Sequence, residues 1–428
     1  MGKVTCSFFH ACVLLGGLSW LAPPSAAAAK PDAEEFVAPL GTMTAPSLLR
    51  RGSGPARAVK DATTGETAFH AKTAQDAIAA AIGHHVAGCW PIRFGDAGFG
   101  WVATGAADPA TTSSPDTVQH IQAGARFKAF VDARTRLKEC LRALSPEARR
   151  RMTGKLEQND AIRLALTNLA ANDQERYEQA LDILGRGFVA YAVEDDPASH
   201  VIRVHLVATP KTAARLTRPT ASAMEAASLR EGLRQTQTEV ANGLVPSVGN
   251  RLIVVNATGE LALVGYAIHP FGAPLESGTL DLAHHAAEQI AISHATKAFL
   301  GLAVGDDAGW QGGLDEADRA QIRAAASGYD DTEPSARRFG QIRDLVLSAV
   351  KEDSGLHALR EGRLPPAATI KRFGGQDTIA VMVIYAPSIR KHGIAPPAPP
   401  TTPATEPAMP AAPATPALPA APAPMESG

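Results

Sequence analysis

An internal duplication constrains the fold of this chain more than any single motif does. The stretches "PIRFGDAGFGWVATGAA" (91–107) and "LIVVNATGELALVGYAI" (252–268) share one pattern: an apolar run, a short glycine turn, and a longer apolar run with a second glycine. Gly98 corresponds to Gly259, and Gly105 corresponds to Gly265 after a one-residue shift. Because such runs around a short turn are typical of β-hairpins, each copy is predicted to contain one.

A helix is predicted after each hairpin, from about Pro115 to Leu144 in the first copy and from about Leu280 to Leu302 in the second. In both helices alanines recur every fourth residue, which places them along one helical face. The aligned alanines are Ala125, Ala129 and Ala133 in the first copy and Ala287, Ala291 and Ala295 in the second. These small side chains predict that each helix lies close to a sheet.

Each copy continues with a helical segment and closes with a second hairpin, whose final strands "VHLVATP" and "VMVIYAP" both end in proline. A helix from about Ala223 to Ala241 is predicted to connect the copies. We therefore expect an α+β fold made of two ββ-α-(α)-ββ repeats, with mostly antiparallel sheets that are each covered on one face by an alanine-faced helix. The predicted repeat domains span 74–218 and 219–393.

The two ends of the chain have compositions that do not suit a packed core. Lys3, the apolar run from Phe8 to Leu21 and the small residues after it predict a secretory signal peptide over 1–29, cleaved after Ala27 or Ala29. Residues 30–73 are predicted to be a flexible linker, and the Pro/Ala-rich residues 394–428 a disordered tail. The mature protein is therefore expected in the periplasm or outside the cell, with no membrane-spanning segment.

The glycine-rich stretch "GDAGFG" (95–100) raises the question of a phosphate-binding loop. Such a loop requires a helix directly after it, so that the helix N-terminus faces the anion. Here the apolar run "WVATGAA" follows, and the matching turn of the second copy, "NATGE", keeps one glycine. The stretch is therefore interpreted as a hairpin turn that needs a positive φ.

No residue set in the sequence points to catalysis, a metal or a cofactor, so no site residues are predicted. The side chains of the adjacent pairs His84–His85 and His284–His285 diverge on a helix and are interpreted as surface or helix-end histidines, and Ser293–His294 cannot form a nucleophile–base pair on a regular helix. The acidic stretches near Asp315 lack the ligand spacing of a calcium loop. With 41 basic and 43 acidic residues, bulk charge gives no reason to expect nucleic-acid binding.

The pieces "VATGAA" with "ARFKAFVDARTRL", and "LVGYAI" with "AAEQIAISHATKAFLG", each combine a glycine-bearing strand with an alanine-rich helix. Together with the two closing strands, they resemble the exported domains of flagellar basal-disc lipoproteins, and more closely an uncharacterised exported bacterial family with two such units per chain. The resemblance covers about residues 88–392 and implies no catalytic residues. This chain differs by lacking a lipid-attachment cysteine and by carrying the Pro/Ala-rich tail.

Two classes of function follow from these observations. The first is a non-enzymatic envelope protein that assembles with itself or with other envelope proteins through sheet edges or the helical segments. The alternative is a periplasmic small-ligand-binding protein or hydrolase that uses a cleft between the repeats. A deep pocket lined by converging polar groups would favour the alternative.

Cys89 and Cys140 are the cysteines that remain after the predicted cleavage. An exported protein would favour a disulfide between them. However, a helix that starts level with the end of the second strand would carry Cys140 towards the hairpin turn, away from Cys89. Two buried, unpaired thiols are therefore predicted.

Overall fold

The structure is a computed structural model. It describes residues 56–61, 64–109, 115–160, 162–163, 170, 172–196, 200–271, 280–327, 329, 340–341, 343–344, 348, 357–358, 361–374 and 378–386. The strands are β1 (Arg57–Lys60), β2 (Thr67–Ala71), β3 (Gly88–Phe94), β4 (Gly98–Ala107), β5 (Phe188–Asp196), β6 (Val201–Ala208), β7 (Leu216–Thr220), β8 (Ala223–Ala226), β9 (Val248–Val255), β10 (Glu260–Pro270), β11 (Thr369–Gly374) and β12 (Thr378–Tyr385). The helices are α1 (Ala74–Ile82), α2 (Pro115–Arg142), α3 (Pro146–Leu156), α4 (Asp173–Arg186), α5 (Pro210–Arg215), α6 (Leu229–Ala241), α7 (Leu280–Val304), α8 (Asp307–Gln311) and α9 (Glu316–Ser327).

The strands form two six-stranded sheets with the same connectivity. The first sheet has the order β1-β2-β3-β4-β6-β5, and the second has the order β7-β8-β9-β10-β12-β11. In each sheet one pair is parallel, β2 with β3 and β8 with β9, and the other pairs are antiparallel. The predicted α+β class and the duplication are confirmed. We call β1 to β6 repeat 1 and β7 to β12 repeat 2.

The alanine faces pack on the sheets as the sequence predicts. Ala129, Ala133, Ala291 and Ala295 are fully buried. A Cβ added to Gly105 of β4 would lie 2.1 Å from the carbonyl oxygen of Ala129, and one added to Gly265 of β10 would lie 2.2 Å from that of Ala295. The second glycine of each apolar run therefore lets backbone approach backbone in both repeats, although in repeat 2 the contact lies one helical turn further along than the aligned alanines predict, at Ala295 and Phe299.

The repeat unit is longer than predicted, because each copy begins with two further strands and a crossover helix. Strands β1 and β2 lie inside the segment predicted as a flexible linker, and Ala223–Ala226, predicted as helix, is strand β8. A parallel pair such as β2 and β3 needs a crossover connection, which α1 supplies in repeat 1 and α6 in repeat 2. The predicted division after residue 218 falls inside β7, and repeat 2 begins at Leu216.

The crossover helix α1 gives the first sheet a second covered face, which the sequence analysis did not predict. Ala77, Ile78 and Ala81 of α1 form a core with Ile92 and Val102, whereas α2 packs on the opposite face with Trp101 and Ala103. Because neighbouring residues of a strand point to opposite faces, Val102 and Ala103 belong to different cores. Repeat 1 therefore has a helix layer on each side of its sheet.

The connector between the repeats is the short helix α5. Thr209 caps it and forms a capping box with Thr212. At the end of α4, a Cβ added to Gly187 would lie 2.3 Å from the Cα of Ala213, so α5 lies directly against the start of β5. The Arg186 guanidinium also donates to the carbonyl oxygen of Pro219 at 3.0 Å. The connector α5 is thus packed against the end of α4, and the strand after it, β7, is hydrogen-bonded to α4.

The prediction of two unpaired thiols is wrong, because Cys89 and Cys140 form a disulfide with Cα atoms 6.2 Å apart. The error lies in where α2 meets the sheet. Gly105 packs against Ala129 and Ala133, so the first turns of α2 extend past the end of β4. Cys140 follows Ala133 by seven residues, so it lies about 10 Å beyond that contact at a rise of about 1.5 Å per residue. That distance brings it level with Ala103, the partner of Cys89 in β3.

Among the described residues, no helix has both the length and the apolar character needed to cross a membrane. The predicted signal peptide (1–29) and the predicted tail (394–428) lie outside the described residues.

Candidate functional site: a cavity between the two repeats

A cavity of about 180 Å³ lies where the repeats meet. Helix α2 of repeat 1 contributes Phe127, Phe130 and Arg134 to its wall. Repeat 2 contributes residues of β9, β10, α8 and α9, together with the segment 244–246 before β9. The cavity is therefore built jointly by the two copies.

Five of the lining residues are aromatic, although aromatic residues make up only 5% of the chain. The aromatic lining residues are Phe127, Phe130, Tyr266, Trp310 and Tyr329. Pockets for small organic molecules are typically lined in this way, with a few polar groups that fix orientation.

Three buried N–H groups on this wall have no hydrogen-bond partner among the described residues: Nε of Arg134, Nε of Arg251 and Nε1 of Trp310. Their side chains belong to residues that are 5%, 4% and 9% exposed. Each group can only donate. Each of these nitrogens has almost no accessible surface, so the N–H groups are enclosed by protein and do not open into the cavity.

Arg134 reaches the cavity from α2 and touches repeat 2. Its guanidinium lies over the Tyr329 ring, 4.4 Å from the ring centre, and its Nη2 donates to the carbonyl oxygen of Ala324 at 3.5 Å. Within the described part of the chain, no carboxylate pairs with it. The stacked ring holds the guanidinium plane in place.

Arg251 belongs to a buried network with Arg218 and Glu239. Glu239 of α6 is fully buried and accepts from Arg251 Nη1 at 2.6 Å and from Arg218. Arg218 Nη1 also donates to the Phe188 carbonyl oxygen at 2.6 Å, and its guanidinium lies 4.2 Å from the centre of the Phe188 ring. One carboxylate therefore serves two guanidiniums, and Arg218 ties the network to repeat 1.

Electrostatics fix the charge state of this network. Burial alone would raise the pKa of Glu239, but the Arg218 and Arg251 guanidiniums lower it to about 2. Burial opposes the charge of Arg251, yet Glu239 raises the pKa of that guanidinium above its ordinary value. Burial also raises the pKa of the neighbouring Tyr266 to about 12, so its hydroxyl stays protonated. Arg251 therefore faces the cavity as a cation at neutral pH.

The glycine turns and the histidines that the sequence draws attention to do not line this cavity. Gly95 occupies the β3–β4 turn with φ +55°, and Gly259 ends the β9–β10 turn with φ +70°, which confirms both hairpin turns. His84 lies just past α1, 5.0 Å from the Phe69 ring. His205 is buried in β6, where its Nδ1 is 2.8 Å from Thr104 Oγ1 and its Nε2 is 3.5 Å from Glu194. No three metal-ligating side chains of the described residues are placed to hold an ion.

The sequence interpretation missed the buried charges that build the site. Glu239 lies on the buried stripe of α6, which also carries Leu229, Gly232, Thr236 and Val240. A carboxylate on such a stripe must find a buried cation, and this was a readable signal. The position of Arg134 gave no equivalent signal, because its partner Tyr329 is almost two hundred residues away.

Comparisons with known proteins add no family. No protein-family model matches the chain, and no curated protein matches it. A crystal structure of the hypothetical protein FTT1539c from Francisella tularensis is similar at a TM-score of 0.22 and 11% identity, over 67% of this chain and 82% of that one. A TM-score this low carries no argument about function.

Proposed function

We propose that this chain is an exported protein that binds a small organic ligand in the cavity between its repeats. The observation that carries the proposal is the pair of buried guanidiniums, those of Arg134 and Arg251, beside five aromatic side chains in the lining of one cavity. Sites for small organic ligands are typically built in this way, with aromatic surface and a few polar or charged groups that fix orientation.

The composition of the wall favours binding over a reaction. Among the described residues that line the cavity there is no histidine, cysteine, aspartate or glutamate. The lining does include the hydroxyl of Ser222, but a serine nucleophile needs an adjacent general base, and histidine, aspartate and glutamate supply most of these. The proposal is therefore a binding protein rather than a hydrolase.

The Cys89–Cys140 disulfide supports the exported part of the proposal. Disulfides form and persist in oxidising compartments such as the periplasm and are rare in the cytosol. The predicted signal peptide points to the same location. N-terminal sequencing of the protein recovered from its host tests this part: a chain starting near Lys30 is expected, and an intact Met1 would contradict it.

Assembly with itself or with other envelope proteins stays a prediction. The edge strands β1 and β11 are largely exposed, but they carry Lys60, Lys371 and Arg372. Basic side chains on an edge strand oppose pairing with another strand, which weakens the edge-to-edge route. The likeness to flagellar basal-disc domains has no further support.

The test of ligand binding uses three probes with the same ring: 4-fluorobenzoate, 4-fluorobenzyl alcohol and 4-fluorobenzylamine. Binding of each to the full chain is followed by fluorine NMR. At least one probe should bind, and the variant Ala325→Phe should abolish that binding because Ala325 lines the cavity and is buried. Ala320→Phe, at an exposed position of the same helix α9, is the matched control. If none of the three probes binds, the proposal fails.

A further inference from the structure

The geometry points to a ligand class for the cavity: we infer that it binds a compact monocarboxylate whose body is a single flat apolar ring. This inference rests on the proposed function, and it adds which ligands the site accepts and which it rejects. Charge, donor number and size support it separately.

Charge is the first argument. The described lining residues include two guanidiniums, those of Arg134 and Arg251, and no carboxylate. The nearest acidic partner, Glu239, is shared with Arg218, so the buried group has three positive charges and one negative charge. Coulombic attraction is strong where water is excluded. An anion therefore gains from the site, and a cation is repelled.

The number and kind of donors favour a carboxylate among anions. The Arg134 and Arg251 guanidiniums each carry a planar fork of N–H groups, which matches the two oxygens of a carboxylate. Arg134 has no carboxylate partner among the described residues, and Arg251 shares Glu239 with Arg218. A carboxylate on the ligand would therefore supply the counter-charge that this wall lacks.

Size and wall shape limit the rest of the ligand. An engineered apolar cavity of about 150 Å³ in another protein holds one benzene molecule. The cavity here, about 180 Å³, therefore has room for one ring and a carboxylate. Its aromatic residues offer flat faces, and Tyr329 is already covered on one side by Arg134. Stacking and edge contacts with these rings favour a flat body over a branched one.

The three fluorinated probes also test this class, because they differ in charge and not in ring. For the unmodified full chain, 4-fluorobenzoate should bind at least about tenfold more tightly than 4-fluorobenzyl alcohol, since hydrogen bonds to charged groups contribute about 1.5–3 kcal/mol. 4-Fluorobenzylamine should bind most weakly.

Two variants locate the effect. Arg134→Gln should reduce the preference for benzoate over the alcohol about tenfold, because it removes one cation from the wall. Arg134→Met also removes the cation but keeps an unbranched side chain of similar length, and should reduce the same preference by a similar factor. Arg136→Gln, on the same helix but paired with Asp132, is the matched control and should leave the preference unchanged.

The outcomes separate the two proposals. Equal binding of benzoate and alcohol, or tighter binding of the amine, would overturn the carboxylate class and leave ligand binding intact. An Arg134→Gln protein that folds and keeps the full preference would also overturn it, and Arg134→Met decides the matter if Arg134→Gln does not fold. No binding of any probe would overturn the proposed function and this inference together.

Discussion

Breaking the Cys89–Cys140 disulfide should lower the free energy of unfolding by about 4 kcal/mol. The bond joins β3 to α2 across a sequence separation of 51 residues. In the chain-entropy account, a crosslink closing a loop of this length removes about 14 cal/mol/K of entropy from the unfolded chain, which is about 4 kcal/mol at 25 °C. Cys89 and Cys140 are only partly buried against the core, so Cys→Ala changes there should add little packing loss.

The assay is urea unfolding of a Cys6→Ser, Cys12→Ser protein, in which Cys89 and Cys140 are the remaining cysteines. A second protein carries Cys89→Ala and Cys140→Ala in addition, and both proteins are unfolded with and without a reducing agent. Reduction should lower the unfolding free energy of the protein that keeps Cys89 and Cys140, and should leave that of the second protein unchanged. The reasoning fails if the oxidised, denatured monomer titrates with two free thiols, or if reduction leaves its unfolding free energy unaltered.

Three further changes test the packing, the buried charges and the tail. Gly105→Ala should destabilise by about 1–3 kcal/mol, since its Cβ would lie 2.1 Å from the Ala129 carbonyl oxygen, whereas Gly124→Ala, with nothing within 4 Å, should be neutral or stabilising in thermal melts. Glu239→Gln should cost about 3–5 kcal/mol because two buried guanidiniums lose their partner. The folded-state pKa of Glu239 is about 2 against an ordinary 4.5, so its contribution is complete above about pH 4.5 and is lost as the pH falls towards 2. In Glu239→Gln this part of the pH–stability curve should flatten, whereas Glu66→Gln, at an exposed position, should change neither the unfolding free energy nor its pH dependence. Deleting residues 394–428 should leave the melting temperature almost unchanged, and a fall of several degrees would show that the tail contacts the folded part.

The elements that could be predicted from the sequence are those whose patterns are local. The four hairpins at β3–β4, β5–β6, β9–β10 and β11–β12 have long apolar runs beside short turns, and the alanine spacing defines one face of α2 and of α7. The strands β1, β2, β7 and β8 escaped notice because they are four or five residues long and mix polar with apolar side chains. Their pairing is decided by the crossover helices and not by their own composition.

The disulfide and the cavity show where local patterns stop being sufficient. Whether Cys140 meets Cys89 depends on how far α2 extends beyond the sheet, and that offset is set by the contact of Gly105 with Ala129 and Ala133. The cavity depends on Arg134 meeting Tyr329 across the repeat junction. Both are distances between elements, which residue spacing within one element does not determine.

The short connector α5 bears on how a ligand would enter. Its contact with Gly187 and the Arg186–Pro219 hydrogen bond leave little freedom for one repeat to swing against the other, and the buried Arg218–Phe188 contact joins them a second time. Binding by hinge closure, as in many two-lobed receptors, is therefore not expected. The radius of gyration measured by X-ray scattering should stay the same with and without ligand, because the ligand would enter through the open side of the cavity and not by movement of one repeat against the other.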